Sequence, residues 1–121
     1  MGTRLHTETE AQAKVSIHMM SLEEVRERYP QLRLHVYELE GGFQAWAGRT
    51  DQDNDTLSIK VARPNDWWFH VRGMPGSHVL LKAREDGEEP GADVLKAAAA
   101  VAAYHSKARS GGVVPVSCTR A

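Results

Sequence analysis

The sequence predicts an α+β domain of antiparallel β hairpins packed with one long alanine-rich helix and one short helix. Three observations carry that expectation. Apolar and polar residues alternate in "LRLHVYELE", the period of a half-buried strand, and "DWWFHVR" reads as a second strand with Trp67, Phe69 and Val71 on one side. Glycine-bearing turns follow both runs, Gly41-Gly42 after the first and Gly73-Met74-Pro75-Gly76 after the second. "DVLKAAAAVAAYHSKARSGG" then reads as a strong helix former closed by glycines.

The elements follow in chain order. Residues 1–20 are polar and without sustained periodicity, which predicts a disordered tail ahead of a single domain over residues 21–121. Ser21 is placed to cap a short helix, with Glu24 as its capping-box partner and Pro30 as its stop. Two strands meet at Gly41-Gly42, read as a two-residue turn because primed turns need positive φ. Asp51, Asp53 and Asp55 at one end of the next segment, with Lys60 and Arg63 at the other, match the polarity of a helix macrodipole. That predicts a helix of about 9–11 residues. In the second hairpin Trp67, Phe69 and Val71 share one face, and Trp68, His70 and Arg72 the other. Trp67 is expected to be buried. On the long helix Leu95, Ala98, Val101, Ala102 and His105 form the expected core stripe, while Lys96, Ala100, Ala103 and Lys107 share another face. "VVPVSCT" supplies a last strand, with Cys118 as a small core residue.

Composition narrows the class. With 41% hydrophobic and 26% charged residues in 121, the chain suits one soluble globular domain. One cysteine rules out an internal disulfide. No apolar run approaches the roughly 20 residues of a membrane span, and the N-terminus lacks the apolar core of a secretion signal. The expected address is the cytoplasm, with no membrane partner. A net charge of −1 means that any basic surface is local and made by folding.

The chemistry concentrates in "NDWWFHVRGMPGSHVLLK". His70 and His78 could act as a metal pair or as an acid and a base. A two-residue loop would send them to opposite faces, and a three-residue loop would unite them with Arg72. No H-E-x-x-H, paired cysteines or carboxylate at ligand spacing accompanies them, so no metal or other cofactor is expected. Ser77 and His78 are neighbours on a strand, which points their side chains apart and speaks against a nucleophile–base pair. "GMPGSH" offers glycine amides to an anion beside Arg72 and Lys82, but it is not a nucleotide-cradling P-loop. Trp68, His70 and Arg72 on one face match the pattern of rings flanked by cations that receives unpaired RNA.

Several spaced motifs resemble one family. They are Gly48-Arg49, Asn54-Asp55, Asp66 to Val71 and Pro75-Gly76-Ser77-His78-Val79. Ala103 to Arg109 and then Val114-Pro115-Val116 complete the set. Together, over about residues 36–119, they resemble the NFACT-R domain of the fibronectin-binding-protein-like ribosome quality-control factors. The resemblance implies a non-enzymatic α+β module that binds tRNA or ribosomal RNA. Arg49, His70, Arg72, Ser77, His78, Lys107 and Arg109 become RNA-contacting or site-shaping positions, beside Trp68 from the strand pattern. Thr50 replaces the family's usual asparagine after the Gly-Arg pair. The chain stops at Ala121, where the family continues through a basic, glycine-rich segment, which implies a truncated or divergent end and a short, standalone version. Two alternatives stand beside RNA binding: a module that docks on a ribosome-associated protein through its aromatic face, and a hydrolase or metal site at His70 and His78.

Overall fold

The computed structural model describes residues 21–107 and 114–121. The chain divides into two units, Met1–Pro30 and Gln31–Ala121. In the first, helix α1 (Leu22–Arg28) begins at the expected capping box. Glu24 N–H donates to Ser21 Oγ at 3.2 Å, and Ser21 N–H donates to Glu24 Oε1 at 2.9 Å. Two otherwise orphaned amides are satisfied, so the helix starts sharply.

The second unit is a five-stranded antiparallel sheet with helices on both faces. Its strands are β1 (Leu34–Glu38), β2 (Gln44–Gly48), β3 (Trp67–Val71), β4 (Val79–Leu81) and β5 (Val116–Arg120), in spatial order β1-β2-β4-β3-β5. Helix α2 (Asp51–Thr56) runs without a break into a π-helical turn, Leu57–Val61, and helix α3 covers Ala92–Tyr104. The α+β expectation holds.

Strand parity divides the sheet. Ala45, Ala47, Phe69, Val79 and Leu81 face α3, whose Val94, Ala98 and Ala102 complete one buried cluster. Small side chains on both sides let the helix lie close to the sheet. Trp46 and Leu80 point the other way and are fully buried. Trp68, level with Leu80, donates to Ser58 of the π turn and so places α2 on this second face.

Local details depart from the sequence pattern. Leu39 N–H donates to the Phe43 carbonyl, so three residues form the first hairpin turn rather than two. Gly41 and Gly42 adopt φ of 73° and 77° there, which only glycine takes readily. Trp67 is half-buried rather than buried: it packs against the edge of the core cluster, with the Arg120 guanidinium of the edge strand 4.3 Å from its ring. Cys118 is exposed because it lies on β5, an edge strand of the sheet among the described residues. Helix α3 ends at Tyr104, short of the expected run through Lys107 to Arg109 and the closing glycines, of which residues 108–113 lie outside the described residues. Ser77 N–H donates to the His105 carbonyl and Gly76 bridges to Ser106, so residues 105–107 pair with the hairpin turn instead of continuing the helix. Lys107 therefore leaves the face it was expected to share with Lys96.

Candidate nucleic-acid interface

Where β2 runs into α2, the hairpin turn and the end of α3 close around a cleft of about 420 Å³. Arg49, Ser77 and Lys107, from three separate segments, line it together with Asp51, Tyr104 and His105. Asn54, buried in α2, holds the walls in place. Its Oδ1 accepts from His78 N–H at 3.0 Å and its Nδ2 donates to the Gly76 carbonyl at 3.3 Å. Ser77 Oγ donates to the Gly48 carbonyl at 2.6 Å, tying the turn to β2. Thr50 caps α2 by accepting from Asp53 N–H, and its own hydroxyl donates to the Asp53 carboxylate. A threonine at this position thus caps the helix start while it also lines the cleft.

Close approach requires glycine at position 48 and leaves little room at position 76. A Cβ on Gly48 would lie 2.2 Å from Asn54 Oδ1, and one on Gly76 would lie 3.1 Å from the Ser106 side chain. The motif glycines therefore set the width of the cleft.

The second grouping lies on the α2 face of the sheet. Continuing the pairing Trp68↔Leu80 and Phe69↔Val79 by one step brings His70 level with His78. Neither register weighed from the sequence is the observed one, yet the two imidazoles do share a face, with centroids 5.0 Å apart. Trp68 stands 5.2 Å from His78 and 5.9 Å from His70. Ser58 Oγ joins this group, accepting from Trp68 Nε1 at 3.0 Å and meeting His78 Nδ1 at 2.7 Å. Burial, and then the neighbouring His70, hold the His78 pKa below 6.5, so its neutral form is favoured. Among the described residues no three His, Cys, Asp or Glu side chains converge as a metal site.

That depression carries an expected outcome. As pH falls through 6.5 the unfolded chain takes up a proton at His78 before the folded chain does. The contribution of His78 to stability is thus complete above 6.5 and is lost as pH falls through its lower folded value. Urea midpoints measured on either side of this window should drop more in the wild type than in His78→Gln; equal drops would reject the assignment.

The eight sequence-derived positions do not form one patch. Arg49, Ser77 and Lys107 meet at the cleft; Trp68, His70 and His78 form the ring cluster. Arg72 is exposed at the end of β3, where its N–H donates to the Pro115 carbonyl. Arg109 lies outside the described residues. Trp68 is half-buried and tied through its indole N–H, so it differs from a fully open ring. Tyr104 was not singled out from the sequence, although an aromatic residue ending an alanine-rich helix beside Lys107 was the available signal. Behind it, His105 stacks on His35 with centroids 4.6 Å apart and hydrogen-bonds the Tyr37 hydroxyl. Burial, and then Tyr104, raise the Tyr37 pKa above 10.0.

No helix among the described residues is long and apolar enough to cross a membrane. The family model described as the NFACT protein RNA binding domain matches residues 33–121. The chain is 36% identical over 87 residues to the Rqc2 homolog RqcH of Bacillus subtilis, an alignment covering 72% of this chain and 15% of the relative. Its match to the Streptococcus suis homolog is 41% over 69 residues, covering 57% and 12%. Among solved structures it resembles the C-terminal part of the fibronectin/fibrinogen-binding protein from Streptococcus suis. That likeness has a TM-score of 0.65 and 32% identity, covering 81% of this chain and 44% of the other. The chain thus spans only a small part of the curated relatives it matches.

Proposed function

This chain belongs to the NFACT protein RNA-binding domain family, and we propose that it binds structured RNA, either tRNA or ribosomal RNA, in the setting of ribosome quality control. The observation that carries this reading is the convergence of Arg49 and Lys107 on one polar cleft. Among the described residues neither cation forms an ion pair, so both charges are available to phosphate. Arg72, exposed at the end of β3 and apart from the cleft, is a further cation for phosphate. Ser77 and His78 shape the walls, and Trp68 and His70 form the adjoining ring surface. In this reading the module positions RNA and performs no bond-breaking step.

With few phosphate contacts, affinity is modest and falls steeply with salt, because each neutralised phosphate releases counterions. The test is fluorescence anisotropy with bulk tRNA over a salt series. Arg49→Ala is expected to weaken binding and to reduce the slope of log K against log salt by about 1. Arg72→Ala should weaken binding to a similar extent for RNAs of different sequence, since phosphate contacts do not read bases. No tRNA binding at low salt, combined with a salt-independent protein partner from the ribosome, would replace this reading with a protein-docking module.

A further inference from the structure

Two cations alone would make a generic phosphate site, but the cleft contains two other groups that a bare anion does not need. Tyr104, at the C-terminal end of α3, lines the cleft and is 57% exposed, one of only two large hydrophobic side chains so exposed among the described residues. Its position is set from behind by the His105 ring at a centroid distance of 5.0 Å and an interplanar angle of 87°. His105 is itself fixed by the His35 stack and the Tyr37 hydroxyl, so the support under Tyr104 is rigid. An exposed ring on a braced support is what base stacking requires. Asp51, on the same cleft, brings a carboxylate that repels phosphate but accepts from the N–H edge of a base. The cleft, at about 420 Å³, falls in the size range of small-ligand sites.

We infer that the cleft receives one unpaired RNA nucleotide, its phosphate between Arg49 and Lys107 and its base stacked on Tyr104. The inference rests on the RNA-binding reading and sharpens it to a substrate class: a single-stranded end, loop or bulge rather than a continuous duplex. In a duplex each base is already stacked between neighbours, and an A-form helix offers no free base face to a side chain. A flipped or terminal nucleotide offers both its ring and its phosphate at once.

The experiment uses the whole chain and a short fluorescein-labelled oligoribonucleotide, single-stranded or annealed to its complement. The wild type is expected to bind the single strand more tightly than the duplex. Tyr104→Ala should weaken the single-strand complex by about tenfold or more, the scale of losing one base–aromatic stack, and leave duplex binding unchanged. Tyr104→Phe retains the ring and should restore wild-type affinity. Because Tyr104 is exposed, an unchanged melting temperature in both variants establishes that the fold is intact. Equal binding of single strand and duplex, lost equally in Arg49→Ala and untouched in Tyr104→Ala, would overturn the inference and leave the RNA-binding reading standing. Failure of the wild type to bind either RNA at low salt would overturn both.

Discussion

Asp66→Ala is expected to lower folding stability by about 3–5 kcal/mol, the cost typical of leaving a buried ionic partner uncompensated. Asp66 is 1% exposed. Its carboxylate accepts from Lys82 Nζ at 2.6 Å, from Ala83 N–H at 2.8 Å and from Arg63 N–H at 2.9 Å. Alanine would strand an ammonium and two amides at the start of β3 and the end of β4. Lys82→Met should cost less, because Asp66 keeps both amide donors and the methionine stem still fills the space beside Trp46. Urea denaturation decides the matter, and losses of equal size from the two substitutions would contradict this account. Burial, opposed by Asp66, holds the Lys82 pKa below 10.5. At alkaline pH the unfolded chain therefore binds more protons at this position than the folded one. The Lys82 contribution to stability grows as pH rises from the folded value towards 10.5 and levels off above it.

Gly48→Ala is the second large effect, and it joins stability to the site. The new Cβ would stand 2.2 Å from Asn54 Oδ1 and 3.0 Å from the Asn54 backbone nitrogen. Overpacking of this kind costs about 1–3 kcal/mol, and here it also displaces the side chain that holds His78 and Gly76. Loss of RNA binding should accompany loss of stability, since Arg49 follows immediately. Gly48→Ala combined with Asn54→Ala should be less damaging than the sum of the single changes, because removing the side-chain amide relieves the 2.2 Å collision and leaves only the backbone contacts at 3.0 and 3.2 Å. Additive losses would show that the contact is not the cause. A melting temperature unchanged in Gly48→Ala would show that the chain accommodates the methyl group without strain.

The fate of individual residues separates what was legible in the sequence from what was not. Ser21 and Glu24 cap α1 as their spacing requires, because a capping box involves only residues three apart. The alternation in "DWWFHV" correctly separates Trp67, Phe69 and Val71 from Trp68 and His70, because a strand points successive side chains to opposite faces. The helix read between Thr50 and Ala62 is present, but Leu57–Val61 is π-helical, which no residue pattern announced. For the site, Arg49, Ser77 and Lys107 were each identifiable, yet nothing in the order of residues brings them together.

The sequence by itself determined the α+β class, the order of the strands and helices, and the candidate cations, because these depend on local periodicity, caps and turn chemistry. Only the tertiary structure decided how far α3 extends, which register the second hairpin takes and which groups share the cleft. Each of these depends on hydrogen bonds between segments distant in the chain: backbone pairing of Ser77 with His105 and of Gly76 with Ser106, and the Asn54 side chain with both Gly76 and His78. Such pairings satisfy buried amides and carbonyls that local structure leaves open, and for His105 to Lys107 they outweigh the helix propensity of the sequence.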